Sequence, residues 1–256
     1  MSFEVSADAY GRFMGRYSEQ LAVPFAALAG LRPDGRALDV GCGTGALTAE
    51  LVRSLGAGAV SATDPSRAFV AAFRARFPDI EVQDAPAERL PFPGGHFDAA
   101  LAQLVVHFMS DPVAGLREMA RVTRPGGVVA ACVWDHAGGR GPLTAFWRAA
   151  LGLDPQARDE SHLAGAREGH LAELFGAAGL DQIESTMLTV STRFAGFDEW
   201  WEPFTLGVGP AGNHVRGLDA RQRAALRDRC ASLLPREGAF EVTASAWAAT
   251  GRVGAG

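Results

Sequence analysis

The sequence predicts an α/β fold built on a single sheet, and three observations predict it. From residue 36 to about 134, short apolar runs alternate with amphipathic ones, the rhythm of strand–helix–strand units. Three glycines at alternate positions follow the first apolar run and precede a helical one. The chain has 256 residues, 48% of them hydrophobic and 21% charged, which supplies apolar surface for a sizeable core and argues against disorder.

Each element has its own reason. Arg36–Gly41, Ala59–Thr63, Ile80–Gln83, Phe97–Leu104 and Gly127–Trp134 are the strand candidates of the alternating part. Helices are expected near Ala46–Leu55, Ser66–Phe77 and Asp111–Val122; in the first, Leu47, Leu51 and Leu55 recur at i, i+4 and i+8 and share one face. After Trp134 the rhythm breaks, and residues 135–166, Gly-rich and then mixed, read as an insertion. A helix near Arg167–Ala178 ends at Gly179, a residue suited to the left-handed position that follows a helix. Leu180–Arg193 carries the β-branched residues of a strand. Residues 195–235 read as helical and irregular, punctuated by Pro203, Pro210 and Pro235, and Phe240–Thr250 closes the sheet. Seven strands and one core result, with two insertions rather than a second domain.

Charge and cysteine usage narrow the function. Twenty-four basic and 29 acidic residues give a net charge of −5, and no basic block is visible. A nucleic-acid backbone is therefore not the expected partner, since it demands clustered cations. Every basic residue is arginine, which excludes a lysine Schiff base or a P-loop lysine. Cys42, Cys132 and Cys230 lie far apart with no CxxC pair, neither a disulfide framework nor a zinc signature, and suit a reducing cytoplasm. The first residues do not form a secretory signal, and no run approaches the ~20 apolar residues that span a bilayer. The expectation is a soluble, cytoplasmic protein with no membrane partner. His96, His136, His162, His170 and His214 show no ligand spacing, so no metal is expected.

The most informative segment is Ala37-Leu38-Asp39-Val40-Gly41-Cys42-Gly43-Thr44-Gly45-Ala46. Its glycines let the backbone turn tightly and approach a ligand where a Cβ would collide. The helix behind them offers unpaired N–H groups and a partial positive charge to a carboxylate or phosphate. The spacing formally satisfies GxGxxA, a dinucleotide fingerprint. Asp39, however, sits two residues before the first glycine, where it would repel a pyrophosphate and suit an ammonium group. A ligand carrying both an amine and a carboxylate fits that pair of features better. An acid in an otherwise apolar strand is costly unless paired, and no ionic partner lies nearby in sequence.

DVGCGTG resembles the first motif of the class I S-adenosylmethionine-dependent methyltransferases, and further motifs follow in register over most of the chain. The resemblance implies S-adenosyl-L-methionine as cofactor and a Rossmann-like sheet of seven strands, six parallel and the last antiparallel, with helices on both faces. It implies that Asp39, Gly41, Cys42 and Gly43 hold the amino-acid end and that Asp64, followed by Pro65, holds the ribose hydroxyls. Asp64-Pro65-Ser66 also reads as a helix N-cap with proline at the first helical position. Asp84-Ala85 would lie beside the adenine, though Asp84 before Ala-Pro also suits an Asx-turn. Gln103-Leu104 through His107 resembles the active-site loop after the fourth strand. Pro125-Gly126-Gly127 is similar to the family's turn before the fifth strand.

Residues 10–18, with Tyr10 and Arg16, resemble a segment that precedes the domain in small-molecule members. They assign 1–35 to a cover over the cofactor, with Arg16 reaching the methionyl carboxylate, in front of a binding core at 36–134. The insertions at 135–166 and 195–235 form a substrate lid in this reading. Trp200, Trp201 and Phe204 roof an apolar pocket for a small-molecule methyl acceptor, although aromatic residues at that spacing also suit a core. Transfer by in-line displacement needs alignment above all, worth roughly 7–11 kcal/mol. His107 is the one candidate catalytic base, against its reading as an ordinary loop histidine. Two rivals stand beside this: an NAD-dependent oxidoreductase, and a homologue that binds the cofactor without catalysis.

Overall fold

The computed structural model describes residues 11–235 and 237–254, so Tyr10 lies outside the described residues. The sheet runs β3-β2-β1-β4-β5-β7-β6, with β1 Ala37–Val40, β2 Val60–Asp64, β3 Glu81–Asp84, β4 Phe97–Gln103, β5 Thr123–Trp134, β6 Asp181–Phe194 and β7 Phe240–Arg252. Neighbours from β3 through β5 pair in parallel, and β7 is antiparallel to both β5 and β6. Six strands thus point one way and the last runs against them, as the sequence led us to expect. Strand order reverses at β1, between β2 and β4, which opens a crevice at the carboxyl ends of these strands.

Period-two alternation along β4 sends Ala99 and Leu101 into one apolar cluster and Ala100 and Ala102 into another. The first cluster packs α1 (Arg16–Leu28) and α2 (Ala46–Leu55) through Leu21, Phe25, Leu47 and Leu51. Val70 and Phe73 of α3 (Arg67–Arg76) cover the β2–β3 end. On the opposite face, α4 (Pro112–Val122) and α6 (His170–Ala177) bury Leu116, Met119, Leu171 and Phe175. Helices on both faces explain why β1 and β2 are buried at every position. The insertions supply α5 (Thr144–Leu153), α7 (Phe197–Trp201), α8 (Gly209–Gly217) and α9 (Ala220–Leu233). These join the first cluster, on the side of α1. Among the described residues no helix is long and apolar enough to cross a membrane.

Two local expectations are corrected. The cap of α3 is Ser66, whose hydroxyl accepts from Phe69 N–H, rather than Asp64 with Pro65 as the first helical residue. The carboxylate of Asp64 is turned toward the glycine loop, which leaves the adjacent hydroxyl to cap. The Pro-Gly-Gly turn lies inside a strand: β5 begins at Thr123, opposite Phe97, and the register then jumps to Val128 opposite Ala99. Gly126 absorbs the excursion at φ +72° and donates its N–H to Val253 O.

Candidate functional site

The loop after β1 is tied to the end of β2: Gly41 and Cys42 N–H both donate to Thr63 O, at 2.7 and 2.9 Å. Gly41 stands at φ +71°, and a Cβ there would lie 2.5 Å from Val105 Cγ2. Gly43, at φ +53°, has open space where a Cβ would be. The loop therefore presents bare backbone just ahead of the α2 N-terminus. Cys42 contributes no thiolate, since burial, with Asp39 and Asp64 nearby, pushes its thiol far above the ordinary value.

Two acids flank the loop. Asp39 is 1% exposed, and Thr48 Oγ1 of α2 donates to its Oδ2 at 2.6 Å. Burial raises its pKa to about 7 against that hydrogen bond, and the Asp64 charge adds to the rise. Asp64 accepts from Gly43 N–H at Oδ2 and from Ser66 N–H at Oδ1, both at 2.8 Å. Its pKa is also raised, mainly by burial, with the two N–H bonds opposing. Asp84 lies opposite Asp64 in the β2–β3 register and pairs with Arg67 at 3.1 Å. It belongs to β3 itself. Ala85 is buried and donates its N–H to Asp64 O at 3.3 Å, while Pro65 is exposed.

Asp39, Gly41, Cys42, Gly43, Gln103 and Arg16 line one cavity of about 170 Å³. Gln103 Nε2 donates to Ser18 O, whereas its buried Oε1 has no partner. Arg16 is already engaged: its guanidinium pairs with Glu199 at 2.7 Å and lies 4.6 Å over the Phe194 ring. The first turn of the described chain, Gly11–Gly15, borders the same cavity.

A second, apolar cavity has a volume of about 40 Å³. Its walls include Phe13, Leu104, His107, Trp134, His136 and Glu160. At the carboxyl end of β4, Gln103 lines the first cavity and the next residue, Leu104, lines the second. Leu104 sits at φ +60°, a strained position for a branched residue, fixed by its N–H bond to Cys132 O. Burial lowers the His107 pKa to about 3, helped by His136, whose own value burial lowers to about 4. Both imidazoles are thus neutral at physiological pH, and their rings are 6.3 Å apart. Glu160 is 4% exposed, accepts from Trp147 Nε1 at 2.8 Å, and is raised to about 7, chiefly by burial.

Trp200, Trp201 and Phe204 are core residues here. They are 2–6% exposed and pack on one another and on Phe13 and Phe146, with Phe146 stacked on Phe204 at 4.5 Å. None is a wall of either cavity; they back Phe13, which is one. So dense an aromatic cluster finds more contact area behind the pocket than in it. Sequence reasoning missed Thr48, Trp134, His136 and Glu160. Thr48 carries a faint signal, one turn into the helix behind the loop; the other three carry none, because only tertiary packing gathers them. Among the described residues no cluster of His, Cys, Asp and Glu could hold a metal.

The family model described as a methyltransferase domain matches residues 38–131. A demethylmenaquinone methyltransferase of Beutenbergia cavernae is 45% identical over 98 residues, 38% of this chain and 40% of that protein. One from Mycobacterium sp. (strain KMS) is 35% identical over 173 residues, 62% of this chain and 74% of that protein. The chain spans about two fifths of the length of the Beutenbergia relative. The solved geranyl diphosphate C-methyltransferase from Streptomyces coelicolor A3(2), in complex with Mg2+, geranyl diphosphate and S-adenosyl-L-homocysteine, is similar in fold. Its TM-score is 0.54 at 15% identity, covering 93% of this chain and 80% of that one. The chain belongs to the class I S-adenosylmethionine-dependent methyltransferases. The residues present fit that cofactor: Asp39 is a buried carboxyl with no cation paired to it among the described residues, Gln103 Oε1 is an unpartnered acceptor, and Gly43 leaves open space on the wall of the same cavity.

Proposed function

We propose that the protein transfers a methyl group from S-adenosyl-L-methionine to a small, apolar acceptor. One observation carries the reading: the glycine loop, the buried Asp39 and the unpartnered Gln103 Oε1 border one cavity at the carboxyl ends of β1 and β4. When bound, the cofactor supplies a methyl group on a positively charged sulfur together with its leaving group. Asp39 and Gln103 Oε1 receive the ammonium, and the backbone at Gly41, Cys42 and Gly43 holds the amino-acid end. Asp64 retains lone pairs beyond its two N–H bonds and accepts from the ribose hydroxyls. Asp84 and Ala85 border the adenine. Arg16 reaches the carboxylate only by exchanging its bond to Glu199.

The protein's contribution is alignment of donor and acceptor and exclusion of water. We assign 1–256 to one domain, with 1–35 as the cover and the two insertions closing the acceptor side. The acidic balance and buried acceptor cavity favour a small molecule over nucleic acid. The names of the relatives make a demethylated quinone precursor the first acceptor to assay. Three buried, unpaired cysteines suit a cytoplasmic location.

Calorimetric titration of the protein with S-adenosyl-L-homocysteine and with NAD tests the reading, followed by product mass analysis over small acceptors. S-adenosyl-L-homocysteine should bind and NAD should not. Preferential binding of NAD would overturn it, and tight cofactor binding without any methylated product would favour a non-catalytic binder.

A further inference from the structure

The sheet has two edges, and they are finished differently. β3 is four residues long, carries Glu81 and Asp84, and has its Val82 carbonyl taken by the Arg74 guanidinium at 3.1 Å. Short length, charge and a covered carbonyl all discourage pairing with another chain. β6 has none of these defences. It is 14 residues long, and residues 185–192 contain neither a charge nor a proline. Its bulge is confined to the start, where Gln182 stands at φ +47°; from Glu184 to Phe194 the ladder with β7 is unbroken. That ladder also fixes which groups are free. Asp135 N–H donates to Ser245 O and Val253 N–H to Gly127 O, so odd-numbered residues of β7 face β5 and even-numbered ones face β6. Their β6 partners are even-numbered too, which turns the N–H and C=O of Ser185, Met187, Thr189, Ser191 and Arg193 away from the sheet. Among the described residues no hydrogen bond meets any of those groups. The run closes at Ala195, whose N–H is taken by Glu199.

We propose that β6 is the interface of a homodimer, in which the β6 strands of two copies pair antiparallel about a two-fold axis through Thr189. Two observations select a second copy as the partner. First, the five free residues are spaced symmetrically about Thr189. An axis there, and only there, sets Met187 opposite Ser191 and Ser185 opposite Arg193, so that every free N–H meets a C=O. The residues between them face compatible neighbours: Leu188 opposite Val190 and Thr186 opposite Thr192, with no like charges opposed. Glu184 of one copy lies opposite Phe194 of the other, the ring beneath the Arg16 guanidinium, which brings acid to base. Second, α1 runs along β6 toward that axis. Its Arg16 lies over Phe194, and its Gln20 amide donates to Thr192 Oγ1 at 3.2 Å. Val23, one turn further on, is 51% exposed, one of two large apolar side chains so exposed among the described residues. The second copy supplies the apolar cover it lacks. Pairing leaves only the two protected β3 edges at the ends of the joined sheet, so association stops at two copies.

Sedimentation equilibrium of the full-length protein, over about a hundredfold range of micromolar concentration, reads the association. The parent should show a monomer–dimer equilibrium with the dimer predominant at the upper end. Thr189→Pro removes the N–H that donates across the axis and leaves the β7 ladder intact, so it should raise the dissociation constant more than tenfold. Thr189→Lys and Thr189→Glu, at an exposed position, each set like charges against one another on the axis. Each should associate more weakly than the parent, while an equimolar mixture should form a heterodimer more tightly than either variant pairs with itself. That rescue requires residue 189 to face its own counterpart, which a general loss of stability does not produce. A melting temperature close to the parent's shows that the Lys and Glu variants are folded. A parent that stays monomeric throughout, or a dimer that all three substitutions leave unchanged, overturns the proposal. So does a dimer whose Lys and Glu variants are both weakened but do not combine.

Discussion

The role proposed for Asp39, holding the ammonium of the cofactor, predicts a cofactor affinity that depends on pH. The folded-state pKa of Asp39 is raised from 3.8 to about 7 by burial, against hydrogen bonds donated by the Thr48 hydroxyl and backbone N–H. An ammonium group placed against it requires the ionised form. At pH 5, two units below that value, ionisation costs about 2.7 kcal/mol, since each unit is worth about 1.36 kcal/mol. The affinity for S-adenosyl-L-homocysteine should therefore rise roughly tenfold per pH unit from 5 to 7, about a hundredfold in all, and level off by pH 8. Proton release measured by calorimetry in buffers of different ionisation enthalpy should mirror it, with close to one proton released on binding at pH 5.5. Asp39→Asn keeps an acceptor for Thr48 and removes the titration. Its affinity should be flat across the range and about 10–100-fold weaker than the parent at pH 8, the worth of a charge-assisted hydrogen bond. The stability sign is opposite. A carboxyl with a raised folded pKa destabilises the ligand-free fold increasingly as pH climbs from about 4 to 7, so Asp39→Asn should gain stability relative to the parent over that interval. A parent affinity that does not change between pH 5 and 8 would refute the assignment of Asp39 to the ammonium.

Two other substitutions separate loop geometry from core packing. Gly41→Ala puts a Cβ against Val105 at a positive φ, so cofactor affinity should fall more than tenfold and the melting temperature should drop; adding Val105→Ala should restore part of the stability, relieving the clash but not the backbone strain. Trp200→Ala should cost about 3–5 kcal/mol in denaturant unfolding while leaving the S-adenosyl-L-homocysteine Kd within twofold, because Trp200 packs on Phe197 and Phe204, away from the cofactor cavity.

What could be read in the sequence follows from the range over which each signal acts. The strands and helices of residues 36–134 were legible because their burial repeats with period 2 or 3.6, and Ala46–Leu55 matches its expected bounds to the residue. The glycine loop was legible because positive φ and close backbone approach leave few alternatives to glycine. Local competition was harder. Asp64 and Ser66 are both good caps, and only the position of Gly43 N–H, across the loop, decides that Asp64 turns away and Ser66 caps. Gly126 and Gly127 signal a turn, but whether the chain leaves the sheet or bulges within it depends on the β4 and β7 neighbours. The acceptor side was least legible. Glu160 lies in an aperiodic insertion, and nothing in Asp159-Glu160-Ser161 says which acid is buried; the Trp147 indole, 13 residues upstream, decides it. Trp200, Trp201 and Phe204 were recognised as a cluster, yet the choice between pocket wall and core depends on the partners that Phe13 and Phe146 provide.

The distribution of carboxyl groups sharpens the division between scaffold and site. Asp98, Glu118, Glu173 and Glu199 each pair with an arginine, and each is held below its ordinary pKa, with the arginine among the causes. Arginine is abundant in this chain, so a cation is within reach of most surfaces. Asp39, Asp64 and Glu160 depart from the pattern: all three are buried, all three are raised, and none forms an ion pair among the described residues. Asp39 lies one residue before the end of β1 and Asp64 ends the neighbouring β2, while Glu160 lines the second cavity. A fold selected for stability alone would have placed arginine or an apolar residue at these positions, because an unpaired buried carboxyl weakens it at neutral pH. The unmet demand is local and directional. At the carboxyl edge of β1 and β2 it calls for positive or proton-bearing groups, and the ammonium and ribose hydroxyls of the cofactor are groups of that kind. Recognition and stability are thus opposed at the same atoms, so binding of the cofactor should stabilise this protein more at pH 8 than at pH 5.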